Sequence, residues 1–225
     1  MKRVLFFLVV AIVLAGGGHA GEKTREIKGW GKIADPEGDC EFLDKDGKLI
    51  VKVPGTYHDF HPAPPYKNNG PRVYQEVAGD FVVEVKVAAT ISPEKGKEPK
   101  GKNISFRAAT LLIWKDGNNF VRLDRAGMWR GGKLYTTTYF HVFKDGKRVF
   151  EKSLLVKDEE TILRIERKGD TILASTIQGK SVVKLPEQKV QLPNSVQIAV
   201  GAINASTQPL EAEFSELKIT SAKEK

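Results

Sequence analysis

Alternation with a period of two, cut at intervals by Asp-Gly or Gly-Asp pairs, restricts this chain more than any other feature. Ala108–Arg125, AATLLIWKDGNNFVRLDR, is the clearest instance: an apolar run, Asp116-Gly117, then a second alternating run. Asp and Gly tolerate the positive φ angles of tight turns, so such a pair between two alternating runs predicts a β-hairpin. The pattern recurs. Lys48–Val53 follows Asp46-Gly47, and Arg72–Val77 and Phe81–Ala88 flank Gly79-Asp80. Lys133–Phe143 and Arg148–Leu155 flank Asp145-Gly146, and Thr161–Arg167 and Thr171–Gln178 flank Gly169-Asp170. Val182–Leu185, Val196–Asn204 and Glu213–Thr220 complete the set, while no segment keeps a helical period for long. Strands at this spacing predict an all-β, antiparallel β-sandwich or barrel.

The N-terminus points to export. Lys2 and Arg3 precede an unbroken apolar run, Val4–Leu14, and Gly18-His19-Ala20 offers small residues where a signal peptidase reads. The run is shorter than the roughly 20 residues a membrane span needs, and no Cys follows it to carry a lipid. Residues 1–20 are therefore expected to be a cleaved signal peptide, 21–225 a single domain, and the protein secreted or periplasmic without a stable membrane anchor. Loss of Lys2 and Arg3 takes the formal net charge from +8 to +6. The remaining positive charge is interleaved with Asp and Glu. Its one dense run, Glu94–Lys102, contains Gly and Pro and is of mixed sign, so a nucleic-acid groove is not expected. Cys40 is the single cysteine, which rules out an intramolecular disulfide and predicts a small buried residue, not a nucleophile.

Several segments carry a family likeness: Gly29-Trp30-Gly31, Asp35–Asp39, Val53–Pro62 (VPGTYHDFHP), Asn69–Val77, Gly79-Asp80-Phe81 and Leu111–Arg125. Across residues 29–220 the chain resembles a family of the concanavalin A-like lectin/glucanase superfamily labelled "regulation of enolase protein". The resemblance implies a jelly-roll of two antiparallel sheets, one concave and one convex. No agreed catalytic set accompanies that family, so no functional residue is carried over. Laminarinase-type hydrolases of the superfamily use Glu-x-Asp-x-x-Glu along one strand. Glu211-Ala212-Glu213-Phe214-Ser215-Glu216 departs from this by a central Glu, and its place at the C-terminus suggests an outer strand. Three acids on a solvated strand face are the better reading.

Sugars are bound by aromatic faces together with planar polar groups. Trp129-Arg130-Gly131-Gly132 places a Trp beside a bend, and Tyr135, Thr137, Tyr139, His141 and Phe143 share one face of the next strand by period two. A ligand-binding set of Trp129, Arg130, Tyr139, His141, Arg72, Gln75 and Arg122 on the concave sheet face follows, with a glycan or polysaccharide as partner. Cross-strand ion pairing is an alternative role for Arg122 and Asp124, and Trp114 is expected in the core. The leading expectation is a non-catalytic carbohydrate-binding module. A glycoside-active enzyme, either a divergent hydrolase or a keto-sugar hydrolase or lyase, is the alternative, with Glu76, Glu84, His58 and His141 as acid–base candidates. A structural or protein-interaction module is the third. Pro54–Pro71 interrupts the alternation with His58, Asp59 and His61 among rings and prolines. These three form a conceivable ligand set, but a loop packed down by its rings is preferred and no metal is expected. No cofactor is implied, although a sandwich of this kind can also carry a calcium ion.

Overall fold

The computed structural model describes residues 25–88 and 91–221. The expected signal peptide lies outside the described residues. In chain order the strands are β1 (Glu26–Ile27), β2 (Gly31–Ala34), β3 (Glu41–Lys45), β4 (Lys48–Val53), β5 (Arg72–Ala78), β6 (Phe81–Val87), β7 (Ile104–Asp116) and β8 (Asn119–Arg130). They continue with β9 (Lys133–Lys144), β10 (Lys147–Leu155), β11 (Thr161–Lys168), β12 (Thr171–Gln178), β13 (Ser181–Lys184), β14 (Gln188–Lys189), β15 (Ser195–Ala205) and β16 (Leu210–Ser221). One sheet has the order β1-β2-β5-β15-β7-β8-β9-β10; the other runs β13-β12-β11-β6-β16-β4-β3, with β14 beside β12. All pairings are antiparallel, and the fold is the expected all-β, antiparallel β-sandwich.

Period-two patterning explains the layers. Across the first sheet, Val73, Val200, Leu111, Leu123 and Phe140 lie opposite one another in register and turn inward. They meet Val83, Val85, Leu163, Ile165 and Phe214 from the second sheet in one apolar core. Each buried Leu, Val or Phe of this kind contributes about 1.5–3 kcal/mol through removal from water. The turn chemistry follows the sequence at Asp46-Gly47 and Asp145-Gly146, where all four residues have φ between 50° and 76°, as a two-residue hairpin of this hand requires. Two pairs behave differently. Gly79-Asp80 joins β5 in one sheet to β6 in the other, because each strand finds its partners elsewhere. At the Ala108–Arg125 hairpin, Asp116 stays in strand β7 opposite Asn119, and its Oδ1 accepts the Asn118 N–H at 2.8 Å, so Gly117-Asn118 make the turn.

The C-terminal acids are also not where they were expected. Strand β16 lies inside the second sheet, between β6 and β4, because Leu210, Ala212 and Phe214 are needed in the core. Glu211, Glu213 and Glu216 face away from it and pair with Lys52, Lys48 and Lys86.

The outward face of the first sheet is not bare. Residues 54–71, between β4 and β5, cross it and drive Phe60 into a second, smaller core with Leu112, Trp114, Phe120, Phe143 and Ile203. Trp114 is thus core, as expected, but core beneath this connection and not between the sheets. Its indole stacks on Phe120 with ring centroids 4.8 Å apart, and Phe120 stacks on Phe143 at 4.5 Å. Glycine permits the approach: a Cβ on Gly201 would lie 2.7 Å from the Pro71 carbonyl oxygen and 2.8 Å from Phe60 Cζ. Gly201→Ala is therefore expected to destabilise the fold by about 1–3 kcal/mol, the usual cost of overpacking, read as a lower denaturation midpoint in urea; an unchanged midpoint would refute the packing argument.

Candidate functional site

The second core ends at a cluster of charge. Strand β8 presents Arg122 and Asp124 on the outward face, opposite His141 and Tyr139 of β9. The Arg122 side chain is 6% exposed, with ion-pair or hydrogen-bond partners on three sides. Nε lies 3.0 Å from Asp124 Oδ2, one terminal nitrogen donates to Asp59 Oδ1 at 3.0 Å and to the Phe60 carbonyl at 3.1 Å, and the other donates to His141 Nδ1 at 3.0 Å. Burial opposes the charge on Arg122, yet Asp124 and Asp59 together hold its pKa above the ordinary value. Asp124 is fully buried, and desolvation outweighs the ion pair, so its carboxyl is pushed up to about 6. Arg122 and Asp124 do form an ion pair, but they sit two residues apart on β8, so it runs along one strand and is not the cross-strand pair expected from the sequence.

Arg122 also fixes the proton on His141. Because a guanidinium only donates, His141 Nδ1 must accept, and a neutral ring then carries its proton on Nε2. Burial first, then the charges of Arg122 and Arg148, drive the His141 pKa down to about 2. Its Nε2 has no hydrogen-bond partner and lies 3.8 Å from a Glu151 carboxylate oxygen. His61 has the same form: Nδ1 accepts the Ala63 N–H at 3.3 Å, and burial lowers its pKa.

These groups line a pocket of about 330 Å3, with Ile104, Phe106, Met128, Arg122, Tyr139 and His141 from the sheet, Asp59, His61 and Tyr66 from the connection, and Arg148 and Glu151 from β10. Its rings form two groups: Phe106 meets Tyr139 edge-on at 5.9 Å and Tyr139 stacks on His141 at 5.5 Å, while His61 lies 4.4 Å from Tyr66. Larger clefts of about 370, 420 and 630 Å3 exist elsewhere: the first is walled by the Lys48–Glu213 and Lys86–Glu216 ion pairs, the second by the partly exposed Glu84–Arg164–Glu166 ion pairs, and the third by lysines, aspartates and aliphatic side chains with Phe143. The 330 Å3 pocket combines aromatic surface with a buried, unpaired donor.

Of the ligand-binding set expected from sequence, Tyr139, His141 and Arg122 meet here. The rest do not. Trp129 alternates out of phase with Arg122 and Asp124 and pairs with Leu134, so it occupies the opposite face. Arg130 is exposed at the hairpin end, beyond the pocket. Arg72 is on the right face but lies over Trp114, its guanidinium carbon 4.4 Å from the ring centroid. Gln75 pairs with Ile198, on the inward side, and donates to the Gly29 and Trp30 carbonyls.

Among the acid–base candidates, Glu84 belongs to the other sheet and bonds Arg164. Glu76 is exposed opposite Gln197, in the row of Trp114. His58 is buried away from the pocket with Asp39. His58 and His61 do not converge, so the His58, Asp59, His61 ligand set is not formed: Asp59 serves Arg122, and His61 faces the pocket. Cys40 is buried, with burial and the nearby Asp35 and Asp39 pushing its thiol pKa up.

Arg148 and Glu151 were missed, for a clear reason. A regular ladder from the Asp145-Gly146 turn would set Phe150 opposite His141. A bulge at Val149 instead sets Glu151 there, sends Phe150 inward to Phe140, and leaves Arg148 and Glu151 on one face in a 2.9 Å ion pair. The apolar and charged order Arg-Val-Phe-Glu was the available signal.

No family model and no curated protein matches the sequence. The fold has many solved counterparts. A functionally unknown protein from Saccharomyces cerevisiae superposes with a TM-score of 0.63 at 14% identity, over 86% of this chain and 97% of that one. The GH43 protein BlXynB from Bacillus licheniformis gives 0.60 at 11% identity, over 85% of this chain and 36% of its own length. A legume lectin-like domain from Entamoeba histolytica gives 0.52 at 8%, over 84% and 89%. The chain thus corresponds to about a third of the GH43 protein. At these identities the likeness establishes the fold alone, an antiparallel β-sandwich.

Removing Arg122 leaves Asp124 buried without its partner. Arg122→Met is expected to cost about 3–5 kcal/mol in chemical denaturation, and adding Asp124→Asn to recover part of it; a double variant no better than the single one contradicts the pairing. The Asp124 carboxyl also makes a signed prediction. Folded, it keeps its proton up to about pH 6, whereas the unfolded side chain loses it near 3.8. The folded state binds the extra proton between these values, so wild type gains stability relative to Asp124→Asn as pH falls from 7 to 4, by up to about 3 kcal/mol. A difference that is flat or reversed across that window would count against it.

Proposed function

We propose that this protein is an exported, non-catalytic carbohydrate-binding β-sandwich that takes a short glycan in the pocket beside Arg122. The observation that carries the reading is the pairing of an aromatic surface, Phe106, Tyr139 and Tyr66, with polar groups of both senses at one place. Sugar hydroxyls donate and accept, and their C–H faces pack on rings. His141 Nε2–H and Arg148 supply donors, and the Glu151 carboxylate accepts. The volume falls at the low end of ligand pockets, a size for a mono- or disaccharide.

Binding is favoured over turnover because, of the four acid–base candidates, only His141 faces the pocket, and it is neutral with Nδ1 held by Arg122. A general base must have a free lone pair near the proton it takes. The lectin-like and GH43 likenesses are in keeping with this reading, as is the narrower resemblance to the "regulation of enolase protein" family. Export rests on Lys2–Ala20.

Glycan-array screening of the mature chain, with calorimetry on the hits and a reducing-sugar assay alongside, tests the proposal. Binding without release of product is expected. Tyr139→Ala and Glu151→Gln should each weaken it about tenfold or more, the equivalent of 1.4 kcal/mol, while Trp129→Ala should leave it unchanged. Product release, or dependence on Trp129 and not Tyr139, would sink it. Burial holds the His141 pKa near 2, so this ring should add no step to the affinity between about pH 5 and 8; a titration step near 6.5 that persists in His61→Gln would show His141 changing charge.

A further inference from the structure

On the far side of the same connection, three side chains of different chemistry converge. Asp39 and Cys40 close the turn before β3, and His58 comes from the 54–71 connection; their ligand atoms all lie within 4.8 Å of one another. Asp39 Oδ1 is 2.9 Å from His58 Nε2 and 3.5 Å from Cys40 Sγ. Both Cys40 and His58 are buried, and Asp39 opens to solvent.

We propose that Asp39, Cys40 and His58 form a binding site for a zinc-class divalent cation, with solvent at the remaining position. The ring is held so that it can serve a cation. His58 Nδ1 lies 3.3 Å from the Thr56 carbonyl oxygen and 3.4 Å from the Thr56 hydroxyl. Without an ion, the hydroxyl can donate to Nδ1 while Nε2–H donates to Asp39 Oδ1 at 2.9 Å; with Nδ1–H turned to the carbonyl, the Nε2 lone pair is free to face a cation beside Asp39 and Cys40. A histidine that donates one ring N–H to a carbonyl and points the other nitrogen at a metal is the usual arrangement at such centres.

The spacing suits the ion. Bond lengths of about 2.0 Å to N and O and 2.3 Å to S in a tetrahedral site put N and O about 3.3 Å apart and S and O about 3.5 Å apart. The N–O and S–O pairs are within about 0.4 Å of these values, and all three ligand atoms lie within 4.8 Å of one another. The turn is held in shape by Asp35, which accepts the Gly38 and Cys40 N–H groups at 3.2 and 3.1 Å. A mixed thiolate, imidazole and carboxylate set with an open position suits zinc and disfavours calcium or magnesium, which take oxygen ligands. The site is separate from the sugar pocket and does not rest on the reading given for it.

The test is titration of the tag-free, reduced mature protein with Zn2+, and with Co2+ as a coloured substitute. One equivalent should bind at micromolar concentration, with a thiolate-to-cobalt charge-transfer band and a raised melting temperature. His58→Gln and Cys40→Ser should each lower affinity at least tenfold, and Cys40→Ser should remove the charge-transfer band. Because those two residues are buried, Asp39→Asn on the exposed ligand, checked for folding by circular dichroism, gives an independent reading and should also weaken binding. No uptake of either metal overturns the proposal, and so does uptake without the thiolate band or undiminished in folded Asp39→Asn.

Discussion

A single guanidinium organises the outward face of this protein. Arg122 touches both carboxylates within reach, a main-chain carbonyl of the crossing connection, and the ring of His141. Burying an ion pair is costly, and replacing it with well-packed apolar groups is often neutral or better for stability. Its use here is positional. Arg122 ties the connection to strand β8 through Asp59, and it decides which nitrogen of His141 carries hydrogen. A pocket whose donors are set before a ligand arrives loses less free energy to ordering on binding.

The connection over which Arg122 presides would be hard to keep in place by polar bonds alone. Phe60 supplies the apolar anchor, and Gly70 and Gly201 leave room for its ring, since a Cβ on either would fall within 2.8 Å of it. Main-chain pairing of His58 with Asn204, and side-chain bonds from Asn68 to the Gly117 carbonyl and Asn69 to Glu37, fix the remainder. The outcome is a long irregular segment tied down by main-chain and side-chain bonds at several points, which is how such a segment can cover a sheet.

Much of this was legible from period two. The sandwich, the face shared by Tyr139 and His141, the burial of Trp114 and the surface role of the three C-terminal glutamates all follow from alternation and charge. The same rule, applied one residue further, excludes Trp129 and Gln75, whose parity sets them opposite Arg122 and Arg72. What alternation does not carry is which strands neighbour each other: Glu84 and His141 are equally good strand residues, and only the order of the sheets separates them. Nor does it foretell that Asp39 and Cys40, 19 and 18 positions from His58, fold back onto it, because that contact depends on how two irregular segments pack.

The bulge at Val149 has a consequence for how recognition in such a pocket diversifies. Strand β10 is the last in its sheet, so it has a neighbour on one side only and its phase is opposed by little else. With the bulge, Arg148 and Glu151 line the pocket; in an unbulged register the same residues would present Phe150 and turn Glu151 toward the core. Specificity at this rim is thus written in strand length as well as in residue identity. Two descendants with matching pocket residues in an alignment, differing by a single insertion at this edge, would have unlike pocket walls.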